Sequence, residues 1–527
     1  MNKIKVLDCT LRDGGYCNQW HFGYENIKEI IKSLVEADVD IVECGFITQK
    51  AVFDKDFSKF NSVVEFKDVI GEKQKGKLYV AMMNYGEFNL SELPENDGTS
   101  IDGIRLAFHK KNRYEAIALC KQIKEKGYLV FIQPMVSVNY TDIEFIEMIG
   151  LANEMQPYAF YIVDSFGMMK SKDLNRFFYM IENNLDSSIK VGFHSHNNLQ
   201  LAYSNAMTLL GMPTNKDIIL DSSIYGMGRG AGNLNTELLI ECLNENYEKS
   251  YNVKPLLRVV DTILSKFHHE NYWGYSLPNY LSAKHNAHPN YAGYLDDKKT
   301  LTFEEIDEIF EMMPQDKKVE FDKNYIEALY VQFMEKGAIQ NSRSEELAAI
   351  FRDKPVVLIA PGKSSTLEEE AINRFVREIN AVTISVNFDY KYLKTDFIFL
   401  SNIRRFKELE KSSKEKCIVT SNIPFDGVYY QTDYKSLLNG EEFVNDNAGL
   451  MVIKLLISFG AKKVLLAGFD GYSHEPKENY ADSSMAWITR NSVLDQMNEG
   501  MNKVLKELNK EISIEFLTKP AHIKIGE

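Results

Sequence analysis

The sequence predicts an α/β protein: an N-terminal (β/α)8 TIM barrel with a helical extension, followed by a C-terminal Rossmann-like α/β domain. Three observations carry this. At 527 residues the chain is too long for one ordinary core. Eight apolar, β-rich runs alternate with helical patterns before Gly226, and a barrel closes with eight strands in roughly 250 residues. A second alternation of short strands and helices starts afresh at Lys354.

The barrel strands are KVLDCTL from Lys5, VDIVECGF from Val39, KLYVAMMN from Lys77, DGIRLAFH from Asp102, YLVFIQPMV from Tyr128, AFYIVDSF from Ala159, IKVGFHSHNN from Ile189 and DIILDSSIYG from Asp217. Between them, stretches such as ENIKEIIKSLVEA and NRYEAIALCKQIKEKG place apolar residues at helical spacing. This gives a barrel domain over 1–252 and an aromatic-rich helical extension over 253–345. The third region, 354–527, opens with VVLIAPGKS, a buried strand running into a tight glycine turn, and continues with AVTISVNF, TDFIFLSN, CIVTSN and KKVLLAGFD.

The composition is 44% hydrophobic and 26% charged with a formal net charge of −14, which argues against a general binder of nucleic acid or acidic membrane. No apolar run approaches the roughly 20 residues that cross a bilayer, and MNKIKV leads into a strand without a signal-peptide pattern. The six cysteines form no CxxC pair. Free thiols in a reducing, cytoplasmic compartment are expected, and a homo-oligomer.

Active sites of such barrels sit at the carboxyl ends of the strands. Read as one set, the polar groups there are Arg12 and Asp13 after the first strand, Glu43 in the second, Arg105 in the fourth, Gln133 in the fifth, Ser165 at the end of the sixth, His194 and His196 at the end of the seventh, and GMGRGAGN, with Arg229, after the eighth. His194 and His196 are two apart on a strand, so both face the interior, where two imidazoles can share a divalent cation. Asp13 offers a third ligand. Two nitrogens and one carboxylate suit Mn2+ or Mg2+, with Zn2+ and Co2+ as further candidates. A 2-oxo acid can chelate such a cation, which takes up negative charge as a carbon–carbon bond breaks or forms, and Arg12 can neutralise the same oxyanion. Arg105 and Gln133 are candidate substrate-binding groups. Arg229 either binds an anionic group or caps its loop.

The motifs LDCTLRDGG, VDIVECGF, VDSFG, FHSHNN and GMGRGAGNLNTE, in this order, resemble the DRE-TIM metallolyases, a superfamily that includes 3-hydroxy-3-methylglutaryl-CoA lyase, 2-isopropylmalate synthase and 4-hydroxy-2-oxovalerate aldolase. The resemblance implies that Asp13, His194 and His196 ligate the metal and that Asn233 ligates or orders it. It also implies that Glu43 lies near the metal waters, that Arg12 stabilises the enolate and that Ser165 helps hold the 2-oxo acid. Three departures leave the general base open. The aldolases' histidine base is replaced by Tyr16, the synthases' acidic residue and glutamine by Gly15 and Tyr16, and the lyases' loop cysteine is missing from GMGRGAGN. Tyr16, once its pKa is lowered from roughly 10, His21 and a bound water are the candidates. In the extension, His285 and His288 are expected to pack, with reach to the site or another subunit as the alternative.

The third region loosely resembles the Rossmann-like part of bacterial sialyltransferases and pterin pyrophosphokinase-like proteins. The APGKS turn can present backbone N–H groups to a phosphate, and the resemblance implies a nucleotide or nucleotide-sugar at Ser364, Asn387, Asn422 and Asp470; a scaffold or oligomerisation role is the alternative. The whole chain thus reads as a divalent-metal-dependent aldolase or carbon–carbon lyase, acting through an enolate of a pyruvate-like 2-oxo acid with an aldehyde partner. Surface-polysaccharide sugar biosynthesis is the setting such a domain pairing suggests. Two alternatives stand beside it: an acyl-CoA-dependent Claisen enzyme like isopropylmalate synthase, and a nucleotide-sugar transferase with the barrel as scaffold.

Overall fold

The structure is a computed structural model that describes residues 3–335, 343–392, 394–425, 427–482 and 491–524. The chain divides into two compact units, Met1–Gly293 with Pro314–Phe321, and Tyr294–Met313 with Asp322–Glu527. The helical segment after the barrel is thus shared between them. The start of the polar connection ahead of Lys354, residues 336–342, lies outside the described residues.

The first unit is a closed parallel barrel. Its strands are β1 (Ile4–Asp8), β2 (Ile41–Ile47), β3 (Leu78–Asn84), β4 (Gly103–Phe108), β5 (Leu129–Pro134), β6 (Ala159–Asp164), β7 (Lys190–Ser195) and β8 (Ile218–Ser222). Each pairs with its neighbour in chain order, and β1 pairs with both β8 and β2, which closes the ring. The alternation of the strands explains their buried character. In β7, Val191 and Phe193 face the surrounding helices, leaving Gly192 and His194 to the interior. Gly192 is required there, because a Cβ would lie 2.2 Å from the ring of Tyr161.

The barrel interior is layered. Leu7, Cys9, Ile41, Val80, Phe131, Ala159, Tyr161, Val163 and Ile219 form one apolar cluster. Arg105, Glu43 and Asp221 are buried as a charged group whose members pair with one another. In β2 the register slips between Glu43 and Phe46. Gly45 takes φ +140° at this bulge, where a Cβ would meet Ser58 O at 2.3 Å.

The second unit holds a seven-stranded parallel sheet: β9 (Val356–Ile359), β10 (Val382–Val386), β11 (Phe397–Leu400), β12 (Cys417–Thr420), β13 (Tyr430–Thr432), β14 (Lys463–Ala467) and β15 (Ser513–Phe516). Its order is β13-β12-β11-β10-β9-β14-β15, so the chain reverses direction across the sheet between β9 and β14. Helices Phe303–Met312 and Lys323–Met334 belong to this unit. Buried Tyr330 anchors the second of them, its hydroxyl donating to Asp446 Oδ2 at 2.6 Å. No helix among the described residues is long and apolar enough to cross a membrane.

Candidate metal centre

The chain leaves β1 into a four-residue helical turn, Thr10–Asp13, whose residues are all buried. That turn aims Arg12 and Asp13 into the barrel mouth. Trp20 folds back to donate its indole N–H to Arg12 O at 2.9 Å, and Ser58 donates to Leu11 O at 2.6 Å. Gly14 and Gly15 make room for the protein itself: a Cβ on Gly14 would meet Thr10 O at 2.3 Å, and one on Gly15 the Trp20 ring at 2.1 Å.

Asp13, His194 and His196 converge, each offering a ligand atom within 4.8 Å of the others, and all three are buried. His196 forms a bridge with Asn233, which draws the glycine loop over the site. Asn233 Nδ2 donates to Asp13 Oδ2 at 2.7 Å and to Met227 O at 3.2 Å. The loop glycines admit these side chains. A Cβ on Gly228 would lie 2.2 Å from Asn233 Nδ2 and 2.7 Å from Asp13 Oδ2.

The protonation states suit a cation. Burial penalises the Asp13 carboxylate, but the histidines and Arg12 outweigh it and hold the group well below the usual carboxylate range. Burial pushes His196 down to about 3, so its ring is neutral at physiological pH. An ionised carboxylate beside a neutral imidazole binds a cation without first shedding a proton. Asn233 Oδ1 and His196 Nδ1 are buried without a hydrogen bond. These atoms fit a divalent ion of mixed N/O preference.

Around this triad runs a charged lattice. Arg12 Nε donates to Glu43 Oε2 at 2.9 Å, and Arg12 also pairs with Asp13. Arg105 pairs with Glu43 at 2.8 Å and with Asp221. Sequence reasoning passed over Asp221, within LDSS at the end of β8. Its Oδ2 lies 3.0 Å from His194 Nδ1 and its Oδ1 accepts the Tyr161 hydroxyl at 3.0 Å. A carboxylate behind a metal-ligating histidine orients the ring. Burial works against the Asp221 carboxylate, yet Arg105 and His194 prevail and keep it below its ordinary value.

The other sequence candidates fall as follows. Gln133 is buried in β5 with Nε2 unpaired, and Arg12 Nη2 is likewise unpaired. Ser165 Oγ accepts the N–H of Val136 at 2.9 Å. Arg229 Nη2 donates to Ser165 O at 3.1 Å, and its guanidinium lies 5.2 Å from the Tyr16 ring centroid. Tyr16 is 40% exposed, yet desolvation of its phenol raises it above its usual value, the reverse of what a base needs. His21 is exposed, its ring against Phe57. His288, expected to pack, has Nε2 3.4 Å from Arg229 Nη1.

In the second unit Ser364 and Asp470 meet: the Ser364 N–H donates to Asp470 Oδ2 at 2.7 Å, and its hydroxyl bonds Oδ1. Asn387, in the left-handed region at φ 63°, accepts the Ser401 N–H through its side chain. Asn422 Nδ2 donates to Ser401 O at 3.0 Å. The N–H that was expected to cradle a phosphate is therefore engaged by a carboxylate.

Residues 107–263 match the HMGL-like family. In sequence the barrel is similar to the 4-hydroxy-2-oxovalerate aldolase of Geobacillus genomosp. 3, 27% identical over 252 residues, which are 46% of this chain and 70% of that protein. The 4-hydroxy-2-oxovalerate aldolase of Thermomicrobium roseum is 29% identical over 244 residues, 46% of this chain and 67% of that protein. Among solved structures, the N-terminal domain of an aldolase candidate from Bacteroides vulgatus aligns with TM-score 0.48 and 27% identity, covering 57% of this chain and 98% of that one. The chain is an enzyme, a metal-dependent carbon–carbon lyase.

Proposed function

We propose that the barrel is an aldolase acting on a pyruvate-like 2-oxo acid and an aldehyde, with Mn2+ or Mg2+ held by Asp13, His194, His196 and Asn233. The observation that carries this is the sorting of unpaired buried atoms: Asn233 Oδ1 and His196 Nδ1 need a cation, whereas Arg12 Nη2 and Gln133 Nε2 need an acceptor. Charge agrees. Arg12 and Arg105 against Asp13, Glu43 and Asp221 leave the lattice one negative charge, which a divalent cation and a monoanionic 2-oxo acid together neutralise.

When bound, the cation supplies a Lewis acid that makes an enolate accessible near neutral pH. The chain's own groups do the rest. Arg12, fixed by Glu43, presents its free Nη2 to the developing oxyanion. Gln133 donates to the carboxylate of the 2-oxo acid. Arg105 reaches no substrate: it holds Glu43 and Asp221 rigid, and through them Arg12 and His194. Ser165 acts through its carbonyl, which positions Arg229, and Tyr16 contributes a hydrogen-bonding hydroxyl rather than a base. Metal-dependent deuterium exchange into the methyl group of pyruvate tests this without knowledge of the aldehyde. Exchange with Mn2+ or Mg2+ is expected, and its absence with Mg2+, Mn2+, Co2+ and Zn2+ alike would overturn the reading.

For the second unit we infer a nucleotide-sugar site at the carboxyl edge of β9 and β14, the switch point where open parallel sheets take ligands. Asp470 suits a ribose hydroxyl better than a phosphate. Thermal shifts with CMP-, UDP- and GDP-sugars test it through mass action, with stabilisation by one of them expected and none refuting it. A sugar aldehyde would then be the natural partner of the barrel, in keeping with a role in polysaccharide biosynthesis.

A further inference from the structure

His288 comes from outside the barrel strands, immediately before the helix Pro289–Asp297. Its Nδ1 accepts the N–H of Asn290 at 3.2 Å, which caps that helix, and its own backbone N–H donates to Lys318 O at 2.8 Å. A neutral imidazole accepts at one nitrogen only, so it cannot accept from both Asn290 and Arg229. With Nδ1 accepting in the cap, the ring proton is on Nε2. Nε2 then points at Arg229 Nη1, 3.4 Å away, and a guanidinium nitrogen can only donate. Two N–H groups stand head to head, the arrangement that one oxygen accepting from both would resolve. Arg229 is held in place by the Ser165 carbonyl, and the imidazole by Phe166 and Phe321, whose ring centroids lie 5.6 and 6.1 Å away. Burial and the neighbouring Arg229 push His288 down to about 2, so the ring stays neutral and its tautomer does not change with pH in the working range.

We propose that His288 Nε2 and Arg229 Nη1 together bind the oxygen of the aldehyde, the atom that becomes the hydroxyl of the aldol. This rests on the 2-oxo acid aldolase reading above. In condensation the methylene carbon of the enolate bonds to the aldehyde carbon, and the C=O π pair moves onto oxygen. That oxygen takes a proton from water, matching the proton lost from pyruvate's methyl group. In cleavage the hydroxyl proton leaves to water, the carbonyl re-forms and the carbon–carbon pair returns to the methylene carbon. His288 and Arg229 hold the charged oxygen in both directions and keep their own protons, as a neutral imidazole can. His288 is in this sense a catalytic residue supplied by the helical extension.

The test compares two rates on the full chain with Mn2+: deuterium exchange into pyruvate, which needs no aldehyde, and condensation with the fastest of acetaldehyde, propionaldehyde and glycolaldehyde. His288→Asn keeps a helix-capping side chain but is too short to reach the oxygen. It is expected to lower condensation about 100-fold and the ratio of condensation to exchange at least about tenfold. His288→Gln, which restores a donor of similar reach, is expected to regain most of that ratio. A ratio unchanged in His288→Asn overturns the inference and leaves the aldolase reading standing. Absence of exchange in the unsubstituted chain overturns both.

Discussion

Arg105→Met tests whether the buried lattice holds the metal centre together. Arg105 is fully buried, paired with Glu43 and Asp221, and stacked 5.0 Å from the Tyr161 ring centroid. Methionine fills much of the same volume, so the cost is electrostatic rather than that of a cavity. Glu43 keeps Arg12, but Asp221 is left with the Tyr161 hydroxyl and His194. Breaking a buried pair from one side costs about 3–5 kcal/mol. Burial, no longer opposed by Arg105, then raises the Asp221 carboxyl. A raised carboxyl stabilises the fold at low pH and loses that contribution as pH rises, so the deficit of the variant narrows on acidification. Urea unfolding at about pH 7.5 and about pH 5.5 measures both effects. The double variant Arg105→Met with Asp221→Leu removes both sides, and a coupling energy of at least about 2 kcal/mol is expected. A single-variant loss below about 1 kcal/mol, or additivity in the double variant, would refute the reasoning.

Three further outcomes follow from the geometry. Asp221→Asn leaves His194 unoriented and is expected to weaken divalent-cation affinity about 10–100-fold by calorimetric titration. Gly228→Ala drives a Cβ to 2.2 Å from Asn233 Nδ2, so equilibrium dialysis should find cation affinity at least about tenfold lower, comparable to loss of a supporting group. Burial raises Asp8 to about 6 and Asp164 to about 7. Native stability should therefore fall as pH rises from the ordinary carboxyl range, by about 1.4 kcal/mol per unit for each group, up to about 6 for Asp8 and about 7 for Asp164, and Asp8→Asn should flatten the lower part of that slope in thermal melts.

The barrel was legible because its strands are short, apolar and regularly spaced, and because two histidines two residues apart on one strand must face the same way. What stayed hidden depends on distance across the ring. Arg105 and Asp221 lie 116 positions apart and meet only once β4 and β8 share an interior. The partner of Gly15 is Trp20, five residues on, and nothing in GGYCNQW announces that the indole folds back. The loop glycines admit Asp13, Asn233 and Asn198, so chain–chain contact rather than substrate explains them. His288 looked like packing because its function needs Arg229, which the sequence places in another element. In the second unit the sequence put Ser364 and Asp470 at one site, but not that Asp470, 106 residues away, takes the Ser364 N–H for itself.

Asp13, His194 and His196 are placed to hold one divalent cation. Metal content is measured after dialysis against Mn2+, set beside that of His196→Ala with the fold checked by circular dichroism. One ion per chain is expected in the unsubstituted protein and near-complete loss in the variant; equal occupancy in the two would rule this metal site out.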